Sequence, residues 1–209
     1  MKFFSVDSPF YKFMVTLWDV IKLNFLWLLF SLPIVTMGAA TVAAFSVTNR
    51  MAEDTEGYVG RQFLDAFKKN WKQGIPLGLL FCFCCYVMYL DLQLFRATDS
   101  VLVQVFSIIT CVWFISAFIY AFPLCARYEN TLKNILMNSV QITIRYFPRT
   151  IALVVVLAVE LFFFLFNTTT MFFLILIGPI CIIFTISGFA MYIFRRIESD
   201  NESREEKEE

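Results

Sequence analysis

Five long apolar runs constrain this chain more than any other feature. They cover roughly residues 25–47, 74–95, 101–126, 150–166 and 171–194 of a 209-residue sequence. Crossing ~30 Å of hydrocarbon takes ~20 helical residues, with a range of ~17–25, and each run has about that length. An isolated strand in lipid would leave its backbone groups unpaired, so the runs read as helices. Composition agrees, since 59% of the residues are hydrophobic and the mean hydropathy is +0.71, against ~45–50% apolar for soluble chains. The expected fold class is all-α: a polytopic membrane helix bundle with about five transmembrane helices and one membrane-embedded domain over residues 1–196.

Between the runs lie amphipathic segments. Over 8–22, Ser8 is placed to cap a helix with Pro9 at its first position. Phe10, Phe13, Met14, Leu17, Trp18 and Ile21 then share one stripe. Over 60–73, Phe63, Leu64, Phe67 and Trp71 share a face, with Arg61, Lys68, Lys69 and Lys72 largely off it. Over 130–147 the stripe is Leu132, Ile135, Leu136, Val140, Ile144 and Phe147. Such segments lie in the head-group plane or pack beneath the bundle; the same stripe serves both. The first two share a short echo, D-x-[IF]-K-x-N-[FW], at Asp19–Phe25 and Asp65–Trp71. The acidic end, 197–209, lacks apolar residues beyond Ile197 and reads as a disordered cytoplasmic tail.

Lys and Arg concentrate in residues 48–73, in 127–149 and after 194, while the two short turns near 97–100 and 167–170 hold only Arg96. By the positive-inside rule the basic segments are cytoplasmic, and so is the C-terminus. The N-terminal side stays open. A full span over 25–47 is the favoured reading and puts the N-terminus outside. Lys2, Lys12 and Lys22 favour the inside, which would require residues 23–49 to enter and return as a re-entrant hairpin.

The chain has no histidine, which removes the commonest general base and transition-metal ligand. Its 17 basic and 17 acidic residues cancel, so net charge points to no nucleic acid. Cys82, Cys84, Cys85, Cys111, Cys125 and Cys181 fall in apolar runs without C-x-x-C spacing and read as small fillers between helices. Walker, G-x-S-x-G, H-E-x-x-H and G-x-G-x-x-G motifs are missing from the sequence. The expectation is a protein that is not an enzyme, with no catalytic residue, metal or cofactor.

Three groups of residues stand out. Pro33, and Gly178 with Pro179, should break the first and last spans, freeing carbonyls that hold a ligand or are patched by a neighbour such as Ser31 or Thr36. Gly38, Ala39, Ala40, Ala43 and Ala44 form a small-residue face for close helix packing, within the bundle or between two copies. Glu160, Asp91, Arg96 and Gln104 lie in the half of the bundle away from the basic loops and could form a polar pocket. The plainer alternatives are head-group contact for Asp91, pairing of Arg96 with one acid, or a protonated Glu160.

The stretch from Asn24 to Thr41, N-x-x-W-L-L-x-S-L-P-I-V-T-x-G-A-A-T, resembles the start of the YesL-like family of small bacterial membrane proteins. The likeness extends to the junction at Phe67–Trp71 and to the five-span layout. Members are of uncharacterised function and are often encoded beside carbohydrate-uptake genes. The resemblance implies a bacterial plasma-membrane protein and supplies no catalytic residues. The expected function is an accessory or regulatory partner of a carbohydrate uptake system. Its partners would be the lipid bilayer and a sugar-transporter subunit or a second copy. The alternative is a small-solute transporter or channel with an outward-facing acidic pocket.

Overall fold

A computed structural model describes residues 9–53, 57–97 and 100–208. They form eight α-helices: α1 (Pro9–Ser31), α2 (Met37–Met51), α3 (Val59–Ala97), α4 (Val101–Phe118), α5 (Ala121–Arg127), α6 (Leu132–Arg145), α7 (Phe147–Leu165) and α8 (Thr168–Glu208). Five helical stretches are long and apolar enough to cross a membrane: Met14–Ser31, Val59–Ala97, Val101–Arg127, Phe147–Leu165 and Thr170–Asp200. Their outer faces carry exposed Phe25, Leu102, Phe106, Phe162 and Phe166. That surface suits lipid.

The bundle departs from the sequence reading first at residues 25–47. These residues are not one span. The first crossing-length helix is α1, which merges the amphipathic segment with the start of the apolar run; Ser8 lies outside the described residues. The chain then breaks at Leu32–Pro33, makes a short 3-10 turn at Ile34–Thr36 and returns as α2. At its middle α1 lies beside the beginning of α3, where Asp19 and Lys22 border the same hollow as Gly57–Arg61. Farther on, the Phe30 ring meets Phe63 and Phe67 at 5.5 and 4.9 Å. α2 runs the other way, with Gly38 against Gly74 and Gly78 and Asn49 and Glu53 beside Asp65 and Lys69. Residues 23–49 therefore form a helical hairpin with both ends at the basic end of the bundle. Proline explains the break, because residue 33 has no N–H to continue the helix and clashes with the preceding turn. Fifteen residues of α2 reach only ~22 Å at 1.5 Å each, short of the hydrocarbon thickness.

α2 is the core of the molecule. Ala39, Ala40, Val42, Ala43 and Ala44 are fully buried, and the helix packs on α1, α3, α5 and α8. Its crossing with α3 is as close as backbones allow. A Cβ placed on Gly38 would lie 2.2 Å from the Gly74 carbonyl oxygen and 2.4 Å from Gly78 Cα. With lipid rather than water outside, such close van der Waals contact is what holds helices together. Gly74 and Gly78 are themselves four residues apart, a small-xxx-small pair that the sequence displays openly.

Three further boundaries differ. The segment at 60–73 does not end before the second span but continues through Pro76 as the 39-residue α3. The carbonyl that Pro76 leaves unbonded belongs to Lys72, an exposed residue. The third span is interrupted at Ile119–Tyr120, between α4 and α5. At the end of the chain, α8 runs unbroken past Pro179 to Glu208, so the tail read as disordered from Ile197 is helical through Glu208. Glu, Arg and Lys are good helix formers, and extending an existing helix needs no new nucleus. Glu198 and Asp200 also anchor the start of this extension, on Arg127 and Arg145. α6 is the amphipathic segment expected over 130–147, capped by Thr131, whose hydroxyl oxygen accepts from the Asn134 N–H at 3.4 Å.

Candidate functional site

Every interruption of a membrane helix frees backbone groups that lipid cannot satisfy. The breaks are therefore the first places to look for chemistry. At Pro179 the Ile175 carbonyl has lost its i+4 donor. Asn24 supplies one: its Nδ2 donates to the Ile175 oxygen at 3.1 Å and to the Leu176 oxygen at 2.7 Å. At the hairpin tip the Thr36 hydroxyl donates to the Phe30 carbonyl at 2.7 Å or the Pro33 carbonyl at 2.9 Å. Thr36 is thus the patch that the sequence offered, while the Ser31 hydroxyl oxygen is buried without a partner. Between α4 and α5 the Ser116 carbonyl accepts from Ser139 (3.0 Å) and Thr143 (3.2 Å) of α6, and the Tyr120 N–H donates to Ser139 Oγ at 3.3 Å. Tyr120 Oη also pairs with Thr150 Oγ1 at 3.0 Å. None of these three sites, the two interruptions and the proline inside the continuous α8, leaves an open ligand cradle, because side chains of the protein fill them.

The four polar residues expected to form a pocket are not brought together. Asp91 on α3 accepts from the Ser107 hydroxyl of α4 at 2.9 Å. Glu160 on α7 accepts from the Thr185 hydroxyl of α8 at 3.1 Å. Each acid is held inside its own hairpin, and neither α3 nor α4 packs along α7 or α8. Among the described ion pairs none joins Arg96 to either acid; Arg96 is exposed and Gln104 half-buried.

What lies between the two hairpins is an apolar cleft of about 450 Å³. Phe81 of α3 and Phe114 and Phe118 of α4 line one side, and Val154 and Leu157 of α7 with Ile183 of α8 line the other. Its floor is α2, at Gly38, Thr41 and Phe45. Trp27 closes the corner, its indole N–H donating to Thr41 Oγ1 at 3.1 Å.

At the basic end the helices are tied by ions. Arg127 binds Glu198 in a two-pronged pair (Nε and Nη2, both 3.1 Å) and reaches Glu53, just past α2, through Nη1 at 2.8 Å. One guanidinium thus joins the ends of α2 and α5 to α8, ten residues before that helix finishes. Planar, forked geometry of this kind is what arginine provides and lysine does not. Tyr128 donates to Glu198 Oε1. Burial, and then that carboxylate, push the Tyr128 phenol up to about 12. The Lys69 ammonium, 2.8 Å from Glu129, holds that carboxyl below its ordinary value. Sequence reading named none of these partners, because each pair is assembled from distant segments.

The motif from Asn24 to Thr41 is therefore a hairpin-building set. Asn24 caps the carbonyl that Pro179 leaves unbonded within α8, Trp27 and Thr41 clasp the two legs, Thr36 finishes the tip, and Gly38 makes the crossing with α3. The echo has a common geometry too. Asn24 and Asn70 are buried, and the aromatic residues after them, Phe25 and Trp71, are exposed.

Comparison with known proteins points the same way. Residues 20–92 match the family model described as "Protein of unknown function, DUF624". The chain is 33% identical over 122 residues to the "Uncharacterized protein YesL" of Bacillus subtilis (strain 168), a match over 56% of this chain and 58% of that protein. The alignment thus spans less than two thirds of that relative's length. No solved structure matches. These findings agree with the likeness carried by Asn24 to Thr41.

Proposed function

We propose that the protein is an accessory or regulatory partner of a transport system in the bacterial plasma membrane, with its C-terminus in the cytoplasm. The observation that carries this reading is the apolar cleft between the α3–α4 and α7–α8 hairpins. Two helix pairs that diverge from one base leave room for a transmembrane helix of another protein. A polar solute finds little to hold along Phe81, Phe114, Phe118, Val154 and Leu157. A packed helix gains van der Waals contact there that loose lipid chains give less well. The link to carbohydrate uptake comes from the YesL-like resemblance. The basic end, with Lys68, Lys69 and Lys72 exposed on α3, would face the cytoplasm under the positive-inside rule.

Purification of the tagged protein from native membranes in mild detergent, followed by quantitative mass spectrometry, tests this. The expected result is a stoichiometric subunit of a solute importer. Leu157→Trp, which fills the cleft, should release that subunit while the protein still runs as a monodisperse species. A chain that emerges alone from repeated preparations overturns the reading.

A further inference from the structure

Beside the end of α2, one face of α8 carries a groove of about 560 Å³, lined by Ala52, Gly188, Met191, Tyr192, Arg195 and Arg196. The α8 residues recur at i, i+3, i+4, i+7 and i+8, so they form a single stripe along the helix. The two ends of the groove differ in chemistry. At one end a Cβ on Gly188 would meet nothing within 4 Å, so the space there is open. At the other stand two exposed guanidiniums, those of Arg195 and Arg196. They lie ~10 Å farther along the helix at 1.5 Å per residue. The apolar run of α8 ends at Phe194, so the arginines mark where the helix leaves hydrocarbon, and Gly188 sits below that level.

The acids at this end are committed and the two arginines largely are not. Glu53 and Glu198 are held by Arg127, and Asp200 by Arg145. Arg195 also faces Glu198, but that carboxylate already takes Arg127 and Tyr128. Arg195 donates from Nη2 to the Ala52 carbonyl at 3.3 Å, which holds it across the end of α2. Among the described ion pairs none includes Arg195 or Arg196. A guanidinium carries five N–H donors in a fork that matches phosphate oxygens, so most of the donors at the mouth of the groove are unspent.

Two such cations above an open trough at hydrocarbon depth fit a molecule with an anionic head and an apolar tail. Basic pockets beside membrane helices recognise anionic head groups in this way. Inorganic phosphate would leave the trough empty. A choline or ethanolamine head would bring a third cation toward the two arginines.

We propose that this groove binds an anionic glycerophospholipid, its phosphate on Arg195 and Arg196 and one acyl chain laid over Gly188. The site is separate from the cleft and needs no partner protein.

Thermal unfolding of the full-length protein in mild detergent, titrated with increasing mole fractions of phosphatidylglycerol or cardiolipin, tests it. Phosphatidylcholine is the zwitterionic comparator, and sodium phosphate and glycerol 3-phosphate are the comparators without a tail. At least one anionic lipid should raise the midpoint saturably, and none of the comparators should. Arg196→Gln removes a charge that no described ion pair uses, and Gly188→Leu fills the trough from a position with room for a side chain. Each should raise the half-saturating mole fraction at least tenfold; should one fail to fold, the other decides. Lys68→Gln with Lys72→Gln, which removes two exposed charges elsewhere at the basic end, should leave it within twofold. Four outcomes overturn the proposal: no saturable response to either anionic lipid; an equal response to phosphatidylcholine or to the tail-less phosphates; an undiminished response in a folded groove variant; or an equal loss in the Lys68 and Lys72 double variant, which would mean diffuse attraction to the whole basic end.

Discussion

Asn24 of α1 donates its side-chain amide to the carbonyl of Ile175, the group left without a helical donor by Pro179 in α8. The two residues are more than 150 positions apart in the chain, yet one is the remedy for the other. Membrane hydrogen bonds average ~0.6 kcal/mol and reach ~1.7 in double-mutant cycles. Asn24→Ala, which loses two of them, should cost about 1–3 kcal/mol. In a Pro179→Ala background the Ile175 carbonyl recovers its helical partner, so the cost of Asn24→Ala should fall by about half or more. Reversible unfolding in mixed micelles, run as a double-mutant cycle, measures this. Strict additivity would show that the contact is incidental.

The crossing of α2 and α3 has no room for a methyl group. Gly38→Val and Gly78→Val must push the helices apart, and overpacking of this kind typically costs 1–3 kcal/mol or more. A Cβ on Gly60 of the same α3 would meet nothing within 4 Å. Gly60→Ala should therefore be neutral or raise stability by about 0.5–1 kcal/mol. The three variants compared by thermal unfolding separate a packing requirement from a general intolerance of substitution.

The tip of the α1–α2 hairpin is exposed and apolar: Leu32 is 76% and Ile34 70% exposed. Such a tip belongs in hydrocarbon, and both hairpin ends belong on one side. A spin label at residue 34 should be reached by molecular oxygen and shielded from a water-soluble nickel chelate. Ile34→Asp should lower membrane insertion, by ~2.5–3.5 kcal/mol at full depth on translocon scales. A label at 34 that is freely quenched from water would place the tip in the aqueous phase instead.

Removing Arg127 leaves Glu53 and Glu198 facing each other without their shared cation. The pair groups are 23–37% exposed, so screening holds the cost of Arg127→Ala below the 3–5 kcal/mol of a fully buried pair, at about 1–3 kcal/mol. Arg127→Lys should recover less than half of that loss, since an ammonium cannot bridge both oxygens of Glu198 as a fork. Limited proteolysis after residue 197 reports the same event locally, because the extension of α8 should fray once its anchor is gone.

Tyr128 adds a pH test. Its phenol is raised to about 12, above an ordinary value of ~10. The stability it contributes is complete below pH ~10 and is lost as the pH rises through about 12. Tyr128→Phe should therefore lower stability by the same amount at pH 6 and pH 9, as read by unfolding at the two pH values. A difference between them would mean that another group titrates with it.

Much of the architecture was legible from residues alone, and the reason is the solvent. Lipid demands ~20 apolar residues per crossing and a satisfied backbone, so helix type and span count follow from composition along the chain. The small residues from Gly38 to Ala44 pointed to a packing face for the same reason. Whether residues 25–47 cross once or turn back was not legible. A proline in a membrane helix either kinks it or ends it, and the choice depends on what waits to receive the freed groups. Here Thr36 receives them at the tip, and Gly74 and Gly78 receive the returning α2. Likewise Glu160 and Asp91 looked alike as intramembrane acids, but their placement in separate hairpins depends on how four helices diverge. The local sequence of this protein determined which segments are helical and apolar. Only the tertiary structure decided which distant side chain meets each break, because such contacts depend on helix crossings that no local pattern encodes.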